Sequence, residues 1–72
     1  MEYIQVQLIN MPVAVRGFTI YNSDDSYTIF INARLSNEMQ VAAYDHEIEH
    51  INNRDFDNMY SVDFLEKLRH VG

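Results

Sequence analysis

The residues best suited to chemistry lie in the stretch His46-Glu47-Ile48-Glu49-His50, one instance of the H-E-x-x-H pattern. On a helix, residues four apart lie one above the other, so the imidazoles of His46 and His50 can converge on one metal ion. Glu47 lies beside them, where its carboxylate can take a proton from a metal-bound water. The pattern therefore predicts a metal site with a general base.

Zinc is the metal that the composition favours. The chain has no cysteine, so disulfides and thiolate zinc sites are excluded, and His, Asp, Glu and water must supply the ligands. A catalytic zinc normally has three protein ligands, which leaves its fourth position to water. The third ligand stays open among residues that follow the motif. The candidates are Asp55 and Asp57 in the next turn and Asp63, Glu66 and His70 further on.

A carboxylate in the turn after the motif has a second use. Asp55 or Asp57 could accept the remaining ring N–H of a ligating histidine and so fix its tautomer. The alternative to any metal site is an ordinary helical pair, with His46 and His50 on the surface and Glu47 as a solvated charge. For Glu66 the alternative is an exposed helical pair with His70, four residues later.

An N-terminal strand and a hairpin are predicted ahead of the motif. Residues 1–10 alternate apolar and polar side chains, which is typical of a strand with one buried face, and Pro12 ends that strand. Residues 13–21 and 27–33 are rich in β-branched and aromatic side chains. The turn-forming stretch 22–26 between them makes this pair a hairpin.

The motif itself is predicted to lie in the middle of a helix. Ser36 or Asn37 can cap its first turn, and the helix should run to about Asn53. Its core-facing stripe is predicted from the three-and-four spacing of the apolar residues Val41, Tyr44, Ile48 and Ile51.

A second helix is predicted after the turn, with Ser61 as its cap. Its apolar side would carry Val62, Leu65, Leu68 and Val71. Together these elements predict an α+β fold in a single domain, residues 1–72. A small antiparallel sheet, made of the N-terminal strand and the hairpin, would pack against the motif helix and the C-terminal helix.

Composition limits the partners. The formal net charge of −6, with five Lys and Arg against eleven Asp and Glu, argues against nucleic acid. No apolar run approaches the roughly 20 residues that span a bilayer, and the N-terminus lacks a signal-peptide pattern, so the cytoplasm is the expected location. A core this small gains from metal binding or self-association, so a homo-oligomer is expected among its partners.

Three segments together resemble the short members of the ImmA/IrrE family of metallo-endopeptidases. They are the strand Tyr27-Thr28-Ile29-Phe30-Ile31-Asn32, the pair Leu35-Ser36 and the motif at positions 46–50. The likeness extends to Arg16-Gly17-Phe18 and Asp55-Phe56, and so covers most of the chain. Two features depart from the family: Glu49 stands where Gly is frequent, and the run that follows the third ligand in longer members is missing.

The resemblance implies a minimal zincin-like domain with a gluzincin-like zinc site. His46 and His50 would be ligands, Glu47 the general base, and Glu66 the third ligand on the following helix. The implied function is zinc-dependent cleavage of a peptide bond in a protein substrate, with a repressor-type regulator as one candidate. The alternative, favoured by the small size, is a non-catalytic acidic interaction module with a structural or regulatory metal site.

Overall fold

The computed structural model describes residues 3–61, which form a sheet and one α-helix. The elements are β1 (Ile4–Ile9), β2 (Gly17–Tyr21), β3 (Tyr27–Asn32), α1 (Asn37–Asn52), a short 3₁₀ helix (Phe56–Asn58) and β4 (Tyr60–Ser61). The predicted α+β class is confirmed. The predicted C-terminal helix lies outside the described residues.

The sheet is mixed, in the order β1-β3-β2-β4. β2 and β3 form the predicted antiparallel hairpin, in which Tyr21 pairs with Tyr27 and Gly17 with Ile31. The prediction that the whole sheet is antiparallel is wrong, because β1 pairs with β3 in parallel, from Ile4 with Tyr27 to Ile9 with Asn32. The short β4 also lies parallel to β2.

The loop after β1 explains the parallel pairing. Residues 10–16 cross the end of β3 before β2 begins, so β3 lies between the two strands that precede it. The buried Asn32 holds this loop at the crossing. Its side-chain oxygen accepts from the backbone N–H of Met11, and its Nδ2 donates to the carbonyl oxygens of Pro12 and Val15.

Because of the crossing loop, β3 lies inside the sheet and β1 lies at its edge. β3 is paired with β1 on one side and with β2 on the other, so an extended peptide cannot add to the sheet at β3. The predicted strand over residues 13–21 is shorter than expected and begins at Gly17. A Cβ atom on Gly17 would lie 2.6 Å from the carbonyl oxygen of Phe30, so only glycine fits this close approach of β2 to β3.

Helix α1 has the predicted boundaries. Ser36 is its N-cap, and the Ser36 hydroxyl accepts a hydrogen bond from the backbone N–H of Met39. At the other end Asn53 is the C-cap and remains right-handed, while Arg54 takes the left-handed conformation with φ 53°. The left-handed residue that follows the helix is therefore Arg54, one position after the C-cap. No helix within residues 3–61 has the length and apolar character needed to cross a membrane.

The core lies between α1 and the centre of the sheet. Ile29 and Ile31 of β3 are fully buried against Ile51 of the helix. The predicted core stripe of the helix is right for Ile51 and wrong for Val41, which is 60% exposed. Instead, the buried helix residues are Ala43, Glu47 and Ile51, at four-residue spacing. The small Ala43 side chain allows close packing on the sheet, and Glu47 has a polar partner there.

Candidate metal centre

The helix brings the two histidines of the motif into contact. The Nε2 atoms of His46 and His50 lie 3.0 Å apart, with the ring planes nearly perpendicular. His46 is exposed and His50 is partly buried, so the pair opens towards solvent on one side. The predicted convergence of the two imidazoles is present.

The donor set suits zinc. Two nitrogen ligands on one tetrahedral zinc lie about 3.3 Å apart, given zinc–nitrogen bonds of about 2.0–2.1 Å. The observed spacing of 3.0 Å between the Nε2 atoms is a few tenths of an ångström shorter. A carboxylate oxygen of Glu47 lies within 4.8 Å of the donor atoms of both histidines, so these three residues form a group that could hold a metal ion.

Asp55 orients the ring of His50 from the opposite side. Asp55 Oδ2 lies 3.2 Å from His50 Nδ1, and the same oxygen accepts a hydrogen bond of 2.7 Å from Asn58. An Nδ1–H that donates to Asp55 leaves the Nε2 lone pair free to face His46 and a metal. This is the outer contact expected of a carboxylate in the turn.

The end of the helix brings Asp55 into this position. The Asp55 backbone N–H donates to the carbonyl of His50, and the Arg54 N–H donates to the carbonyl of Ile51. This pair of bonds around a left-handed residue is a Schellman motif, which folds the chain back under the last helical turn. Because Asp55 is bound to His50 through both backbone and side chain, it lies on the Nδ1 side of the ring, away from Nε2.

Glu47 is held from the sheet. Its side chain is only 6% exposed, and Oε1 accepts a hydrogen bond of 2.8 Å from the hydroxyl of Thr19 on β2. Within residues 3–61, no buried side-chain oxygen or nitrogen lacks a hydrogen-bond partner. Glu47 Oε2 has none there, so this oxygen is not buried. The carboxylate is thus fixed through one oxygen and available through the other.

A cleft of about 340 Å³ lies next to Glu47, between the start of β2 and one side of the helix. Its lining residues are Arg16, Gly17, Met39, Ala42, Ala43, His46 and Glu47. The strand β4 pairs only with the end of β2, at Ile20 and Tyr21. It therefore does not cover Gly17 and Phe18 at the start of β2. His46 and Glu47 therefore line a concave surface beside the first half of β2, and His50 lies next to His46 outside that lining.

The other predicted site residues lie outside the group of His46, Glu47 and His50 or outside the described residues. Asp55 contacts His50 and does not belong to the group that could hold the metal, while Asp57 is exposed and also stands apart from it. Glu66, the third ligand implied by the family resemblance, lies outside the described residues, as do Asp63 and His70. No family model, curated protein or solved structure matches this chain.

Thr19 is a site residue that no motif in the sequence indicates. It shares a face of β2 with Gly17 and Tyr21 and pairs with the buried Ile29, so it points towards the helix. A fully buried hydroxyl on an otherwise apolar face needs a polar partner. The one threonine on the core face of the hairpin indicates that a polar partner must lie nearby. Sequence spacing does not identify that partner as Glu47, 28 residues later.

Proposed function

We propose that this chain is a minimal zinc-dependent endopeptidase and a short member of the ImmA/IrrE family. The observation that carries the proposal is the joint geometry of three side chains. The Nε2 atoms of His46 and His50 face each other at 3.0 Å, and the Glu47 carboxylate is fixed beside them with one oxygen not buried. The contact from Asp55 to the back of His50 supports a ligand role for that histidine.

Each protein group has a defined task in this proposal. His46 and His50 hold zinc through Nε2, and Glu66 is the proposed third ligand. When bound, zinc polarises a scissile carbonyl and lowers the pKa of a coordinated water towards about 7. Glu47 Oε2 accepts a proton from the attacking water and delivers it to the leaving amine. Thr19 keeps Oε1 in place, so Oε2 keeps its orientation during both transfers.

The proposed substrate is an extended segment of a protein, with a repressor-type regulator as the candidate class. The cleft is open and only about 340 Å³ in volume, which suits a short stretch of chain better than a folded surface. The first half of β2 borders this cleft, and a sheet edge can hold an extended peptide through main-chain hydrogen bonds. The cytoplasm is the proposed location, which cell fractionation would test.

Zinc content and cleavage are measured together on the full chain. We expect wild-type protein to bind one zinc per chain and to cleave a quenched fluorescent peptide library. His50→Ala should lose both properties, whereas Glu47→Gln should keep zinc and lose cleavage by about 10²–10⁴-fold. Glu49→Gln is the matched control, because Glu49 is exposed on the same helix and outside the metal group.

Two results would overturn the peptidase proposal. If His50→Ala still binds zinc, His50 is not a ligand of the proposed site. If Glu47→Gln still cleaves peptides, Glu47 is not the general base. Full zinc occupancy without cleavage, with Glu47→Gln unchanged in every property, would instead favour the non-catalytic interaction module.

A further inference from the structure

We infer that Arg16 forms a carboxylate-binding subsite in the cleft, so that the substrate carries a carboxylate next to the bond that is cleaved. This inference rests on the proposed function and names the substrate class of that same site. Arg16 lines the cleft together with His46 and Glu47, and it is the one cation among the seven lining residues. The carboxylate could belong to an acidic side chain or to the C-terminus of the substrate.

The backbone of Arg16 is fixed on both sides. The backbone N–H of Asn32 donates to the carbonyl of Arg16 at 3.0 Å, and the Asn32 side chain binds the preceding carbonyl of Val15 at 2.7 Å. On the other side, Gly17 begins β2 and packs against β3 so closely that a Cβ atom would not fit. The Cα atom of Arg16 is therefore held beside the metal centre by the sheet itself.

The guanidinium group of Arg16, in contrast, is uncommitted. Arg16 is exposed, and within the described part of the chain its side chain makes no hydrogen bond or ion pair. Glu47 also lines the cleft but forms no ion pair with Arg16 in the described part of the chain. The chain has eleven acidic residues and only five Lys and Arg, so a cation left without a carboxylate at the cleft is a specific feature of this site.

The chemistry of arginine selects the ligand. A guanidinium stays charged at all relevant pH values and presents paired N–H donors that match the two oxygens of a carboxylate. Such charge-assisted, bidentate bonds are stronger than bonds between neutral groups. A chain of net charge −6 repels acidic peptides at long range, so a preference for them has to arise from a local contact such as this one.

Binding can be measured without turnover in the Glu47→Gln protein, loaded with zinc. The probes are fluorescent peptides of one polar sequence that carry Glu or Gln at the central positions, each made with a free or an amidated C-terminus. We expect the carboxylate-bearing form to bind about tenfold more tightly than its amide counterpart, as a charge-assisted contact at an open site allows. The comparison of side-chain and C-terminal forms identifies which carboxylate is recognised.

Arg16→Gln should abolish this preference, and Arg34→Gln is the matched control. Arg34 is exposed, does not line the cleft, and loses the same unit of charge when it is replaced. Arg16→Lys should retain part of the preference, because the charge remains and the bidentate geometry is lost. Circular dichroism and zinc content of each variant confirm that the fold and the metal centre are intact.

The inference is overturned if Arg16→Gln and Arg34→Gln reduce the preference equally, or if no preference exists in the parent protein. Its failure is distinct from failure of the peptidase proposal. Cleavage of acidic and neutral peptides at equal rates, unchanged by Arg16→Gln, would leave a peptidase without the subsite. If the protein cleaves no peptide but shows a preference that depends on Arg16, the subsite is supported and the peptidase proposal is rejected.

Discussion

Thr19 Oγ1 donates a hydrogen bond of 2.8 Å to Glu47 Oε1, which joins the hairpin to the motif helix across the buried face between them. Thr19 is fully buried and Glu47 nearly so. A carboxylate in such a place is costly to bury unless its oxygens are bound. The bond therefore has two effects: it offsets the burial of Glu47, and it fixes the orientation of the proposed general base.

The first prediction concerns this bond. Thr19→Val keeps the shape of the side chain and removes the hydroxyl, which leaves Glu47 Oε1 buried without a donor. We expect the free energy of unfolding to fall by about 1–3 kcal/mol, measured by urea denaturation. Thr19→Ser, which keeps the donor, should lose less. Equal stability of the wild-type and valine proteins would contradict a structural role for the bond.

The second prediction concerns the support behind His50. Asp55→Asn replaces the carboxylate that contacts His50 Nδ1, so the ring loses its charged partner. We expect zinc affinity to fall about 10–100-fold by isothermal titration, the usual cost of losing such an outer partner. Asp57→Asn removes the same charge from an exposed residue two positions later. Identical affinities for the two variants would show that the Asp55 contact does not matter to the metal.

The third prediction concerns the crossing loop. Asn32→Ala removes the side chain that binds Met11, Pro12 and Val15, and leaves the N–H of the buried Met11 without its partner. We expect the free energy of unfolding to fall by about 1–3 kcal/mol, the cost of one unsatisfied buried group. Asn10→Ala, at an exposed position in the same loop, is the control. A loss no larger than that of the control would mean that the loop is held by other contacts.

The fourth prediction concerns pH and the hairpin turn. The side-chain hydroxyl and the backbone N–H of Ser26 donate to the Asp24 carboxylate and hold its pKa below the usual 3.8. A folded-state pKa below the unfolded value stabilises the folded chain above about pH 4, and this contribution is lost as pH falls through the folded-state pKa. An NMR titration of Asp24 should show the lowered pKa, and Ser26→Ala should raise it. An unchanged Asp24 titration in that variant would rule out the hydroxyl as the cause.

Local patterns were sufficient to predict the helix, the hairpin and the contact between His46 and His50. The N-cap at Ser36, the end of the helix at Asn52 and the hairpin turn all depend on residues close in sequence, and each lies where predicted. The contact between His46 and His50 follows from helical spacing alone. Such features are encoded within a few residues, so one sequence is enough to predict them.

The buried face of the helix could not be predicted in the same way. Val41 has the more apolar side chain, yet it is exposed, while the charged Glu47 is buried. Hydrophobic spacing predicts that a carboxylate lies on the surface. The hydrogen bond that offsets the burial of Glu47 comes from Thr19 in another element, so the local pattern does not reveal it. The strand order failed for a related reason: nothing in residues 4–9 specifies which neighbour they pair with, and the deciding contacts come from Asn32.

The parallel pairing of β1 with β3 also determines the order in which the chain can fold. Tyr21 and Tyr27 meet across a short turn, so the hairpin closes with little loss of loop entropy. Ile4 pairs with Tyr27 across the whole of β2 and the loop before it, so this pairing closes a much longer loop at a greater cost in entropy. We therefore expect β1 to join last in the folding reaction, with φ-values near zero at Val6 and higher values at Ile29.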